Sequence, residues 1–155
     1  MIVPADTPAR IAAARSLVRA YAVWLERDHG VSLGFQDIAT ELATWPGRYA
    51  APQGALLLAA PAAGTVALRR LDDATCEIKR LYVAPAARGA GLGAALAAAI
   101  VAEARRLGYR RAVLDTLPLM TGAQRLYAAL GFTDTAPYHE VPHPGLRFMA
   151  LDLAP

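Results

Sequence analysis

Cysteine is almost missing from this chain: its 155 residues contain one, Cys76. A single thiol excludes an internal disulfide framework and the paired cysteines of zinc and redox motifs. Charge is sparse too. Charged residues make up 19%, and the 16 basic ones are scattered, some in short pairs at Arg69-Arg70, Lys79-Arg80, Arg105-Arg106 and Arg110-Arg111. With a formal net charge of only +3 and no long basic run, local anion sites fit better than a nucleic-acid surface. The longest apolar stretch, 89–102, is mostly Ala and Gly and falls short of the roughly 20 residues a membrane span needs. The first residues do not have a signal-peptide layout, since Asp6 and two prolines precede an amphipathic segment dotted with arginines. These absences lead to the expectation of a cytoplasmic chain in a reducing compartment, with neither nucleic acid nor membrane as partner.

Hydrophobic residues, at 55%, are enough to build a real core, and 155 residues suit one domain spanning 1–155. Thr7-Pro8 predicts a helix start, with Thr as N-cap and Pro in the first turn. Ile11, Ala14, Val18, Tyr21 and Leu25 recur at helical spacing up to His29-Gly30. A second short helix is expected over Phe35–Thr44. ALLLAA (55–60) and TVALRRL (65–71) predict a hairpin across Pro-Ala-Ala-Gly, and CEIKRLYV (76–83) the next strand. Leu92, Leu96, Ile100 and Leu107 mark a helix over 91–107, stopped at Gly108. RRAVLDT (110–116) is a strand and Thr121–Leu130 a helix. The prolines at 137, 142 and 144 predict a loop before a last strand over 145–153. The fold class expected is α/β (α+β): a mixed central sheet flanked by helices, an antiparallel meander first and parallel strands in the middle.

The segment RLYVAPAARGAGLGAAL (80–96) carries the chemistry. A helix start leaves N–H groups unpaired and carries partial positive charge, so it attracts anions. Gly89, Gly91 and Gly93 let a phosphate approach the backbone, and the Arg88 guanidinium can bond phosphate oxygens. Gly89, Gly91 and Ala94 also satisfy the dinucleotide pattern G-x-G-x-x-A, with Asp115 placed as a ribose-binding acid. Against that reading, five residues (84–88) separate the strand from the first glycine. The strand itself carries Glu77, Lys79 and Arg80 instead of a continuous apolar run.

The pattern resembles the GCN5-related N-acetyltransferase (GNAT) family. The resemblance rests on Arg88-Gly89-Ala90-Gly91-Leu92-Gly93, matching Arg/Gln-x-x-Gly-x-Gly/Ala, on EIKRLYV before it, on LDT, and on A-x-x-L-Y-x-x-L-G-F at Ala123–Phe132. It covers most of 55–153 and implies acetyl-CoA as co-substrate and no metal. It also implies a primary amine, on a small molecule or a peptide, as acceptor, with direct transfer in a ternary complex. The backbone of Arg88, Gly89, Ala90, Gly91, Leu92 and Gly93 would hold the CoA pyrophosphate, and Leu81, Tyr82 and Val83 the pantetheine arm. Tyr127 matches the tyrosine facing the CoA sulfur, whereas Met120 stands where many members have Asn.

The residues add expectations of their own. Apolar residues occupy 76 and 78, then 81 and 83, a switch of face that a strict two-residue period cannot make, so a bulge is predicted near Lys79-Arg80. An amine acceptor is mostly protonated at neutral pH and needs a base, for which Glu77 is the first candidate. Glu41, Asp115, His139 and Glu140 stand behind it. The Val83 N–H is placed to polarise the thioester carbonyl. Cys76 reads as a small core residue. Trp45, Arg48, Tyr49, Tyr138 and His139 are candidates to line the acceptor pocket. A non-catalytic acyl-CoA or nucleotide sensor is the alternative function, and a homodimer is left open.

Overall fold

In the structure, a computed structural model that describes residues 1–32, 38–140 and 144–154, one sheet of seven strands runs through the molecule in the order β1-β2-β3-β4-β5-β7-β6. The strands are β1 (Ile2–Pro4), β2 (Ala55–Ala59), β3 (Gly64–Arg70), β4 (Thr75–Val83), β5 (Arg111–Thr116), β6 (Thr133–Asp134) and β7 (Arg147–Asp152). Only β4 and β5 pair in parallel; all other neighbours are antiparallel. The expected mixed sheet is therefore present, with its parallel part reduced to one pair.

Among the described residues four α-helices cover the sheet: α1 (Pro8–His29), α2 (Ile38–Ala43), α3 (Leu92–Arg106) and α4 (Thr121–Ala129). Thr7 caps α1 as expected, its side chain accepting from the Arg10 N–H. The expected second helix begins three residues earlier than α2, and 35–37 lie outside the described residues. On one face α3 and α4 bury Leu96, Ile100 and Tyr127 against Val66, Leu68, Cys76, Ile78 and Leu114. On the other, α1 and α2 pack Val18 and Leu42 against Leu56, Leu58, Ala67 and Tyr82. The apolar run of β2 is thus buried on both sides.

Two strands escaped the sequence pattern. β1 and β6 are three and two residues long, too short to show alternation, and are held by pairing with β2 and β7.

The bulge in β4 decides the layout of the site. Thr65 pairs with Tyr82 and Ala67 with Lys79, so β4 holds one residue more than β3 across this interval. Arg80 takes up the excess with φ of 63°, the one non-glycine residue in the left-handed region among those described. Cys76 and Ile78 before the bulge, and Leu81 and Val83 after it, all join the α3 side of the core, while Tyr82 turns to the α1 side. The bulge predicted near Lys79-Arg80 is present, and it keeps all four apolar residues on one face.

Candidate active site

Beyond Glu77–Val113, β4 and β5 stop pairing and part. Along this gap lie three spaces, each sharing lining residues with the next.

The first is a cleft of about 520 Å³ between the end of β4 and the starts of α3 and α4. Leu81, Tyr82 and Val83 form one wall, Arg88 to Ala94 its floor, and Tyr21, Trp24 and Met120 close it. Across β3, the Ala84 N–H bonds the Ala63 carbonyl, which leaves the N–H and C=O of Val83 facing away from β3 into the gap. Gly91 caps α3 in the left-handed region, φ 79°, and offers no capping side chain; Gly89 has φ 89°. A Cβ at either would meet nothing within 4 Å, so conformation is what calls for glycine there. Among the described residues, the backbone N–H groups from Gly89 to Ala94 have no hydrogen-bond partner. A row of free donors at a helix start is what a pyrophosphate requires. The Arg88 side chain is engaged locally: Nε donates to the Val83 carbonyl at 3.0 Å, and the guanidinium lies 5.7 and 5.5 Å from the Trp24 and Tyr82 rings.

The second space is a neck of about 70 Å³ between β4, β5 and α4. Tyr127 lines it, packed against Phe132 at 5.4 Å. Burial holds its phenol well above the ordinary value, so it stays protonated at neutral pH. Tyr21, whose phenol burial pushes up to about 12, stands in the same neck.

The third space, about 840 Å³, lies on the sheet face between α2 and the 135–140 segment. Glu77 projects into its wall and is only 1% exposed. Arg69 donates to its Oε1 at 2.8 Å and the Tyr138 phenol to its Oε2 at 2.5 Å. Burial raises its pKa, but Lys79, Tyr138 and Arg69 outweigh that and leave the carboxyl below its ordinary 4.5. Glu77 is thus a buried, firmly held carboxylate. His139 Nε2 lies 2.6 Å from Asp115 Oδ2, and its Nδ1 lies 2.5 Å from the Glu140 carbonyl. Donor atoms of Glu77, Asp115 and His139 fall within 4.8 Å of one another. Glu77 already has the Arg69 guanidinium on it and the Lys79 ammonium 4.0 Å away, which supply the positive charge a metal would bring.

Of the expected acceptor residues, Tyr138 and His139 line this space. Trp45, Arg48 and Tyr49 line a smaller one of about 260 Å³ behind Glu41. Trp45 Nε1 and the Tyr49 hydroxyl donate to Glu41 at 3.3 and 3.0 Å, and Arg48 bonds the Arg70 carbonyl. Trp45 and Tyr49 thus support Glu41, Arg48 is tied to β3, and none of the three borders the large cavity. Cys76 is fully buried, its thiol pushed up to about 12 by burial, as a core residue should be. Sequence reasoning passed over Arg69, Lys79, Trp24 and the placement of Tyr21. The signal available was register: Arg69, Glu77 and Lys79 fall on one face of neighbouring strands, and three charges there mark a lined cavity.

Two clefts meeting at a splayed, bulged strand, one with a row of free N–H donors, are matched by the comparisons with known proteins. A model of the acetyltransferase (GNAT) family matches residues 13–132. The chain belongs to the GNAT family. This makes it an acetyl-CoA-dependent acetyltransferase by family. It is 38% identical over 133 residues to an uncharacterized N-acetyltransferase of Schizosaccharomyces pombe, covering 83% of this chain and 82% of that one. It is 31% identical over 129 residues to the N-acetylaspartate synthetase of Danio rerio, covering 79% of this chain but 46% of that protein. Among solved structures, yncA from Salmonella typhimurium, determined with its cofactor acetyl-CoA, superposes with a TM-score of 0.71 at 27% identity over 100% of this chain and 94% of that one. No helix among the described residues is long and apolar enough to cross a membrane.

Proposed function

We propose that this GNAT member moves the acetyl group of acetyl-CoA directly to a primary amine, with both substrates bound at once. The observation that carries the reading is that the Tyr127 neck shares lining residues with both clefts. Leu81, Lys79 and Arg80 wall the neck, Leu81 borders the CoA side, and Lys79 and Arg80 border the acceptor side. No nucleophile of this chain needs to intervene, since Cys76 lies in the core.

The first cleft takes the co-substrate: Gly89 to Gly93 bind the pyrophosphate with backbone N–H groups, and Leu81 to Val83 bind the pantetheine arm as a neighbouring strand would. The Val83 N–H, facing the gap, polarises the thioester carbonyl. Glu77 takes the ammonium proton, directly or through water, freeing the amine to attack the carbonyl carbon. A C–N bond forms, the attacking nitrogen releases its second proton to solvent, and the C–S bond breaks. Tyr127 gives its phenolic proton to the departing thiolate and regains one from solvent. Tyr138, held neutral by burial and by the charge of Glu77, positions that carboxylate through its hydrogen bond.

The zebrafish relative is named for synthesis of an N-acetylated compound, which supports an amine acceptor. A cytoplasmic place suits the acetyl-CoA requirement and the unpaired Cys76. The test is thiol release from acetyl-CoA as each substrate is varied. Intersecting initial-rate patterns support direct transfer, parallel ones an acetyl-enzyme, and binding without turnover across amines and peptides the sensor alternative.

A further inference from the structure

On the inner wall of the acceptor cavity, Arg69 and Arg80 each hydrogen-bond a carboxylate, Glu77 and Glu41. Lys79 stands only in a looser ion pair with Glu77. Its side chain is only 10% exposed, its nearest acid oxygen lies 4.0 Å away, and it makes no hydrogen bond among the described residues. It borders both the cavity and the neck, so its ammonium faces the space where an acceptor must sit.

An ammonium that lines a cavity without a protein hydrogen bond is a ready donor to a ligand oxygen, and a bond to a charged acceptor is the stronger one. A carbonyl or hydroxyl oxygen would bond it less strongly than a carboxylate. We infer that the acceptor is an amine that also bears a carboxylate, of the amino-acid type, with its carboxylate on Lys79 and its amine toward Glu77 and Asp115. This rests on the N-acetyltransferase reading above. The remaining geometry agrees. The two carboxylates that would draw the ammonium lie close together beside the neck. At about 840 Å³ the cavity admits an amino acid with room for a side chain. Burial, with Arg80 and Arg69 nearby, lowers the Lys79 pKa against the opposing pull of Glu77, and a bound carboxylate would offset that loss.

The experiment compares thiol release with free amino acids, their carboxamides and simple alkylamines, all corrected to free-amine concentration, in the wild type, Lys79→Met and Lys79→Arg. A charged hydrogen bond of this kind corresponds to a preference for acid over amide of about 10- to 100-fold in kcat/KM. That preference should collapse in Lys79→Met through a higher KM for the acids and largely survive in Lys79→Arg. Acetyl-CoA thermal shifts confirm that each variant is folded. Equal rates for acids and amides, or a preference that persists in Lys79→Met, would overturn the inference while leaving the N-acetyltransferase reading intact. Slowing of every acceptor alike in Lys79→Met would also overturn it, assigning Lys79 to the thioester carbonyl. Failure of every amine to release thiol, with acetyl-CoA bound, would remove the reading on which it rests.

Discussion

Arg80, at the bulge of β4, holds Glu41 of α2 in a two-pronged ion pair, Nε to Oε2 at 2.9 Å and Nη2 to Oε1 at 3.0 Å. The residue with the left-handed backbone is therefore tied across the sheet face to a helix, and Trp45 and Tyr49 hold the same carboxylate from behind. A positive φ at arginine needs this kind of support. Removing the carboxylate takes away the charge that Glu41 sets against a buried guanidinium, so Glu41→Gln should cost about 3 kcal/mol, read from urea unfolding. The same variant should raise the KM for acetyl-CoA, because the bulge aims Leu81 to Val83 at the cleft.

The same pair predicts a pH dependence. Burial raises the Glu41 pKa, but the hydrogen bonds and charge of Arg80, with Tyr49, bring it below 4.5. A carboxyl whose folded pKa is depressed binds protons more readily when unfolded. Its contribution to stability is complete above the unfolded value and is lost as pH falls through the lower folded value. Glu77 acts in the same direction. The urea midpoint should therefore be flat near neutrality and fall below about pH 4.5, and less steeply in Glu41→Gln than in the wild type.

Tyr127→Phe keeps the ring packed on Phe132 and deletes the proton donor. A loss of about 100-fold in kcat is expected, with the dissociation constant for acetyl-CoA changed only slightly. Equal kcat in the two proteins would remove Tyr127 from the chemistry.

Glu77→Gln keeps the shape of the side chain and removes the base, so kcat/KM should fall by about 100-fold. Because the Glu77 carboxyl lies below 4.5, its own titration should add no limb to the wild-type rate from pH 6 upward. A limb that stays fixed when acceptors of different amine pKa are compared would point to another base.

Gly91→Ala tests the anion site. A side chain at φ 79° costs roughly 1–2 kcal/mol. Part of that strain will be relieved by tilting the donors of the first turn, so acetyl-CoA binding should weaken by up to about tenfold. Titration calorimetry reads it directly, and unchanged affinity would argue that the free N–H groups do not bind the co-substrate.

How much of this was legible beforehand differs from feature to feature. α1 announced itself through Thr7-Pro8 and Gly30, and the β4 bulge through the shift of apolar residues from 76 and 78 to 81 and 83. Both are local effects, written in consecutive residues. The cleft was readable because Gly89, Gly91 and the strand before them sit together in the chain. The acceptor cavity was not, because its wall is assembled from Glu41, Arg69, Lys79, Asp115 and Tyr138, which only the sheet order brings together. Trp45 and Tyr49 look like pocket residues in the sequence, yet their polar atoms turn to Glu41. Which acid an aromatic residue serves depends on long-range contacts, and no periodicity encodes that.

The central claim is that the cleft formed by the end of β4 and the start of α3 binds acetyl-CoA. A thermal-shift comparison of acetyl-CoA, CoA and NAD at matched concentrations tests it most directly, since a ligand that binds the folded state raises the midpoint by an amount that grows with the logarithm of its affinity. The account predicts clear stabilisation by acetyl-CoA and CoA, none by NAD, and a reduced shift in Gly91→Ala. Stabilisation by NAD alone would contradict it.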